Sequence, residues 1–241
     1  MSEKCDPPEP LAPLVPIWRP SPNHGARREG LTPSLVVLHY TAMDSAEAAL
    51  ARLCDPLAEV SAHYLIGGDG QLWQMVAEDQ RAWHAGAGSW AGQGDINSRS
   101  IGIELDNRGT HPFSEPQMAV LEALLEQILA RWSIAPEGVI GHSDMAPGRK
   151  ADPGPRFAWA RLASLGLARA TPLVSEAAGA GGKPAVPNRT SVNFANLCAA
   201  AGYSAESSPE ALLEALRLRH APMRQGPCCA ADMALLQALA S

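Results

Sequence analysis

The segment GHSDMAPGRKADPGP, residues 141–155, carries His142, Lys150 and Asp152, and far earlier in the chain the apolar run LVVLHYT ends in His39. Two imidazoles and one carboxylate form a borderline-soft ligand set. It suits a catalytic Zn2+, because three protein ligands leave the fourth tetrahedral position open for water. The chemistry of such a site is hydrolytic. Lys150 stands out by composition: of 19 basic residues only Lys4, Lys150 and Lys183 are lysines, so arginine serves as the ordinary surface cation. An ammonium on a flexible stem is a compact charge that can reach a developing oxyanion.

Glu104 is the candidate proton carrier. In SIGIELD, alternation places Ile101, Ile103 and Leu105 on one face and Gly102, Glu104 and Asp106 on the other. A carboxylate in a buried strand is costly unless it has a partner or a chemical role. Beside an activated water it could take a proton and return it to a leaving amine. Asp106 competes for this role from nearer the strand end. The stretch holding Trp73, Trp83, His84 and Trp90 is punctuated by glycines and suits a groove for flat apolar faces, with Trp73 itself read as core. His24, His111 and His220 sit in polar or proline-rich contexts and read as surface residues.

The elements that must position these groups follow from periodicity. Leu35–Tyr40 is apolar on both faces, hence a central strand. Asp44 and Glu47 resemble a capping box ahead of a short helix bearing Ala49, Leu50 and Leu53. AHYLIG and QLWQMV flank Gly-Asp-Gly and predict a hairpin. Ser114 and Gln117 open the clearest helix, whose Met118, Leu121, Leu125, Ile128 and Trp132 share one face. GVIGH gives a last strand, a Pro- and Gly-rich loop carries the ligands, and a helix near residues 159–165 stops at Gly166. His39 and His142 thus both fall at strand ends. The order predicts an α/β domain with a mixed central sheet flanked by helices, over residues 34–169 after an extended arm at 1–33. A linker poor in periodicity, 170–190, leads to a small three-helix unit at 191–241, with helices near 193–200, 209–220 and 230–240.

With 46% hydrophobic residues and a net charge of −6, the chain is a globular protein ill-suited to a phosphate backbone. It has no apolar run long enough to span a bilayer. Five cysteines, including the vicinal Cys228 and Cys229, do not look like a disulfide framework. The proline-rich N-terminus lacks a signal-peptide core and makes Cys5 a poor lipidation site, so a cytoplasmic location is expected.

LHYTAM, SAHYLIGGDG, RAWHAG, SIGIELDNRG and GHSDMAPGRKADPGP together resemble the successive motifs of zinc-dependent N-acetylmuramoyl-L-alanine amidases of the AmpD and AmiD type, over about residues 22–167. The wider family includes phage amidases and peptidoglycan recognition proteins. The resemblance implies zinc on His39, His142 and Asp152, catalysis by Glu104 and Lys150, and substrate contacts from Trp83, His84 and Asn107. It also implies cleavage of the amide between the lactyl group of N-acetylmuramic acid and L-alanine, on 1,6-anhydro-muropeptides if the enzyme is cytoplasmic. In some phage relatives a tyrosine precedes the histidine of the second motif. Here Ala62 precedes His63, which shifts proton transfer towards Glu104. The last unit is similar to three-helix peptidoglycan-binding domains through ALLEALRLRHAP, and departs from them in QGPCCAADMALL. All catalytic candidates precede Ala170, so this unit is expected to be dispensable on small muropeptides. The rival classes are a non-catalytic peptidoglycan sensor and a structural zinc site closed by a fourth ligand such as Cys54.

Overall fold

Apolar residues on both faces of a strand require cover on both sides of the sheet, and this chain supplies it asymmetrically. The computed structural model describes residues 14–174, 189–204 and 206–241. The proline-rich start with Cys5, and residues 175–188 of the expected linker, lie outside them. Along the chain run β1 (Ile17–Trp18), β2 (His24–Ala26), β3 (Leu35–Tyr40), α1 (Ala46–Leu53), β4 (Tyr64–Ile66), β5 (Leu72–Gln74), β6 (Gln80–Ala82), α2 (Ile96–Arg99) and β7 (Ser100–Leu105). There follow α3 (Glu115–Trp132), β8 (Val139–Gly141), α4 (His142–Met145), α5 (Trp159–Ser164), α6 (Arg189–Ala200), α7 (Pro209–His220) and α8 (Ala230–Leu239).

Six strands form a mixed sheet in the order β1-β5-β4-β7-β3-β8, and β2 pairs with β6 apart from it. Only the β4–β5 hairpin is antiparallel within the large sheet. Val36, Leu38, Ile101, Ile103 and Leu105 face α3 and meet Met118, Leu121, Leu125 and Ile128 in the main core. Burying each such side chain contributes roughly 1.5–3 kcal/mol. Val37 points the other way, into a smaller cluster with Ile96, Ile140 and Met145. By the two-residue period of a strand, His39 follows Val37 and Glu104 follows Gly102 on the face away from α3.

The α/β class with a mixed, helix-flanked sheet is as expected, and the differences are local. Residues read as an extended arm supply β1 at the sheet edge and β2 against β6, because their partners lie far along the chain. Ser45, rather than Asp44, caps α1 by accepting from the Ala48 N–H at 3.2 Å, while Asp44 pairs with Arg108. Ser114 caps α3 as expected, but Gln117 donates its amide to Ile66 and Asp106 carbonyls instead of reaching back to the cap. Among the described residues no helix is long and apolar enough to cross a membrane.

The C-terminal helices close on Phe194, Cys198, Leu212, Leu216, Leu235 and Leu236, with Tyr203 completing the cluster. Asp232, at the start of α8, accepts from Arg217 at 2.6 Å, Arg224 at 2.9 Å and the Cys229 N–H at 2.9 Å. Burial alone would raise this carboxyl, but the Arg217 and Cys229 hydrogen bonds outweigh it and bring it from 3.8 to about 2. A carboxylate with a depressed folded-state pKa stabilises the fold above its unfolded value, and that contribution disappears as pH falls through the folded one. Urea denaturation of Asp232→Asn against the parent should therefore show a penalty with a pH-dependent part of about 2 kcal/mol, present at neutral pH and shrinking between about pH 4 and pH 2. A pH-independent difference would mean that the carboxylate charge contributes nothing to stability.

Candidate metal and hydrolytic site

Strand register assembles the site. His39 and Glu104 are direct neighbours on the parallel strands β3 and β7. On the other side Leu38 pairs with Gly141, so one step further along brings His39 level with His142, the first residue of α4. Asp152 returns on the loop after α4, fixed where the Ser143 N–H donates to its carbonyl at 2.9 Å. Gly141 permits that approach: a Cβ there would lie 2.8 Å from Pro153 Cδ.

Three atoms converge at nearly equal separations. His39 Nδ1 lies 2.9 Å from both His142 Nδ1 and Asp152 Oδ2, and His142 Nδ1 lies 3.0 Å from the same oxygen. All three residues are buried. Ligands about 2.0 Å from a tetrahedral metal are about 3.3 Å apart, so this triangle needs only a few tenths of an ångström of expansion to hold one.

Hydrogen bonds behind the triangle settle where the protons are. Ser100 Oγ donates to the Ile96 carbonyl at 2.6 Å and must accept from His84 Nε2 at 3.1 Å. In a neutral His84 the Nδ1 is then bare, and it accepts from His39 Nε2 at 3.0 Å. His39 Nδ1 is bare in turn. His142 Nε2 donates to the Ala85 carbonyl at 2.9 Å, which leaves the Nδ1 of the neutral ring bare as well. Burial, then the neighbouring His142, lowers His39 to about 4, and burial, then His39, holds His84 well below the ordinary range, so neither ring carries a charge at neutral pH. Two bare nitrogens and a carboxylate oxygen thus face one another without a proton to share. That donor set fits a divalent cation. Among the described residues no cysteine joins the triangle; Cys54 lies at the end of α1 with its thiol towards the Arg19 carbonyl.

The triangle opens into a cavity of about 470 Å3 lined by Thr41, Met43, Arg52, Trp83, Glu104 and Lys150 among others. Glu104 Oε2 is buried without a hydrogen-bond partner, and burial, then Asp152, pushes its carboxyl up to about 8 against the opposing Lys150 charge. Lys150 is exposed at the rim. His39, His142, Asp152, Glu104, Lys150, Trp83 and His84 all line this cavity, and Asp106 does not. His84 lines the cavity and also orients His39 through Nδ1, its own ring being fixed through Nε2 by Ser100. Asn107 is not brought to the cavity. Its side chain accepts from the Gly109 N–H at 2.7 Å and donates to the His111 carbonyl, organising its own loop. Trp73 is core, as expected, and Trp90 turns away to meet Tyr203 edge-on at 5.2 Å.

Sequence reasoning missed Arg149 and Arg27. Arg149 donates to the carbonyls of Ala85, at 2.7 Å, and Ala87, and so braces the loop bearing Trp83 and His84. Arg27 donates to the Glu78, Ser98 and Ser100 carbonyls and meets His63 Nε2, while His63 Nδ1 accepts from the Gly102 N–H. No local signal marks an arginine that acts across such sequence distances.

The chain's residues 29–155 match the N-acetylmuramoyl-L-alanine amidase family, Amidase_2. It is 43% identical over 149 residues to the N-acetylmuramoyl-L-alanine amidase AmiD of Escherichia coli, a match covering 55% of this chain and 53% of that one, so it spans about half the length of that relative. It is 37% identical over 163 residues to the 1,6-anhydro-N-acetylmuramyl-L-alanine amidase AmpD of Enterobacter cloacae, covering 61% of this chain and 87% of that one. A solved complex of AmiD from E. coli with the substrate anhydro-N-acetylmuramic acid-L-Ala-D-gamma-Glu-L-Lys superposes with a TM-score of 0.75 at 34% identity, covering 88% of this chain and 90% of that one.

Gly102 tests the role of His84. A Cβ at this position would lie 2.4 Å from the His84 ring. Gly102→Ala should cost about 1–3 kcal/mol by overpacking and, by pushing His84 from His39, weaken divalent metal binding about 10- to 100-fold. Urea denaturation and metal titration measure the two effects; a variant that loses stability but keeps full metal affinity would reduce His84 to a packing residue.

Proposed function

The chain belongs to the N-acetylmuramoyl-L-alanine amidase family, and from that premise we propose that it hydrolyses the amide between the lactyl group of N-acetylmuramic acid and L-alanine. The observation that carries the reading is the triangle of bare donor atoms opening beside a buried, unpartnered glutamate. His39, His142 and Asp152 would hold Zn2+, whose chemistry when bound is to polarise a carbonyl and make water acidic enough to attack near neutral pH. Glu104, in its ionised form, would take the proton from the attacking water; a cation on the triangle favours that form by offsetting the Asp152 charge that helps to push the carboxyl up. Its burial without a partner leaves Oε2 free for that proton, and the same carboxyl then delivers it to the departing L-alanine nitrogen. Lys150, at the rim of the same cavity, neutralises the oxyanion of the tetrahedral intermediate. Trp83 offers a flat apolar surface to the sugar or the peptide stem.

The substrate class follows from the same relatives, one named for and one solved with an anhydro-muramyl ligand. We assign 1,6-anhydro-muropeptides as substrates in a cytoplasmic recycling role. Supporting the compartment, Cys54, Cys198, Cys228 and Cys229 are all free thiols, the last two adjacent, a pattern suited to reducing conditions.

Glu104→Gln and Lys150→Ala should each retain the metal and the fold. Lys150→Ala should lower kcat on an anhydro-muramyl tripeptide by roughly 10²–10³, and a variant within about twofold of the parent would take Lys150 out of the reaction. Fractionation of cells carrying the native chain should place it in the cytoplasm. A periplasmic or membrane-bound pool would overturn the recycling role and leave the hydrolytic chemistry standing.

A further inference from the structure

We infer that the C-terminal helical unit completes the metal site, with Arg219 and Tyr203 acting as positioning residues for His142 through Asp144. The inference rests on the metal reading above. α4 is a single turn of four residues, too short to be stable on its own propensity. It carries His142 at its first position and Asp144 at its third. Asp144 is fully buried, at 0% exposure, and its Oδ2 accepts from the Gly141 N–H at 2.8 Å. Its other two hydrogen bonds both come from the C-terminal unit. Arg219 of α7 donates to Oδ2 at 2.6 Å, and the Tyr203 hydroxyl donates to Oδ1 at 3.3 Å.

The same guanidinium also donates to the Val139 carbonyl at 3.0 Å, so Arg219 clamps the residues on either side of the step from Gly141 to His142. It is 6% exposed and lies 4.2 Å over the Trp159 ring. A second tie reaches the loop that carries His84. The Ala91 N–H donates to the Gly202 carbonyl at 2.7 Å, and Trp90 rests on Tyr203. Gly148 approaches α7 so closely that a Cβ would lie 2.9 Å from Ala211 Cβ.

A buried ion pair is a poor source of net stability, since well-packed apolar residues of the same volume often do as well. What it supplies is a fixed geometry, because neither partner can leave without stranding the other. Here the fixed object is the turn that aims His142. The expectation from sequence, that this unit is dispensable on small muropeptides, was formed without this clamp, whose partners are separated by 75 positions.

Competition between the full chain and a chromophoric chelator for Zn2+ tests the inference, with folding followed by circular dichroism. Arg219→Met should bind zinc about 10- to 100-fold more weakly than the parent, and Tyr203→Phe roughly threefold more weakly. Arg219→Lys keeps the charge but cannot reach both Asp144 and Val139, and should also weaken zinc binding. If Arg219→Met does not fold, Tyr203→Phe and Arg219→Lys decide the matter. Folded variants that all bind zinc within about twofold of the parent, with only their melting temperatures lowered, would overturn the inference and leave a purely structural contact. A parent that takes up no zinc, or a His39→Ala control that binds as the parent does, would instead sink the metal reading, and the inference with it.

Discussion

Three lone pairs held within 3.0 Å of one another are the constraint on which the rest of the molecule depends. Such a cluster is electrostatically unfavourable without a cation, so the fold must oppose its dispersal. It does so from behind. A run of donors beginning at the Ser100 hydroxyl and passing through His84 fixes the His39 tautomer, and the Ala85 carbonyl fixes that of His142. These outer contacts come from the β6–α2 loop, α2 and the start of β7, which also pack against β3 and β8 through Ala85 and Ile96.

The parallel sheet makes the arrangement simple to build. Neighbouring parallel strands bring residues level in register, and one face is covered by α3 and the segment around α5. The opposite face is then free to carry His39, Glu104 and, one residue beyond β8, His142. Because the strand period is two, a one-residue slip of β3 against β7 would send His39 into the apolar core. The alternation that fills the core thereby also fixes which polar groups meet.

Much of this was legible in the sequence for that reason. The positions of His39 and Glu104 follow from alternation within LVVLHY and SIGIEL, and a proline- and glycine-rich loop after a strand is a suitable bearer of Asp152. What could not be read were pairings between distant segments. β1 and β2 have no local pattern and exist because β5 and β6 accept them. Arg27, Arg149 and Arg219 look like solvated cations in sequence and are structural only through carbonyls and carboxylates far along the chain. Asn107, which the resemblance placed among the substrate contacts, organises its own loop, and Trp90, whose type suggested a groove, packs on the C-terminal helical region; both contacts depend on backbone that the local pattern does not describe. Asp44 and Ser45 are both good caps, and only the backbone geometry of the turn selects between them.

The central claim is that His39, His142 and Asp152 hold one zinc ion in a three-ligand, open site. The most direct measurement is elemental analysis of the purified full chain after mild dialysis, alongside His142→Ala. About one zinc per parent chain is predicted, and little or none in the variant, since two remaining ligands do not make a stable site. A His142→Ala protein that keeps stoichiometric zinc would contradict the claim, because the metal would then be held elsewhere and the triangle of bare donors would need another explanation.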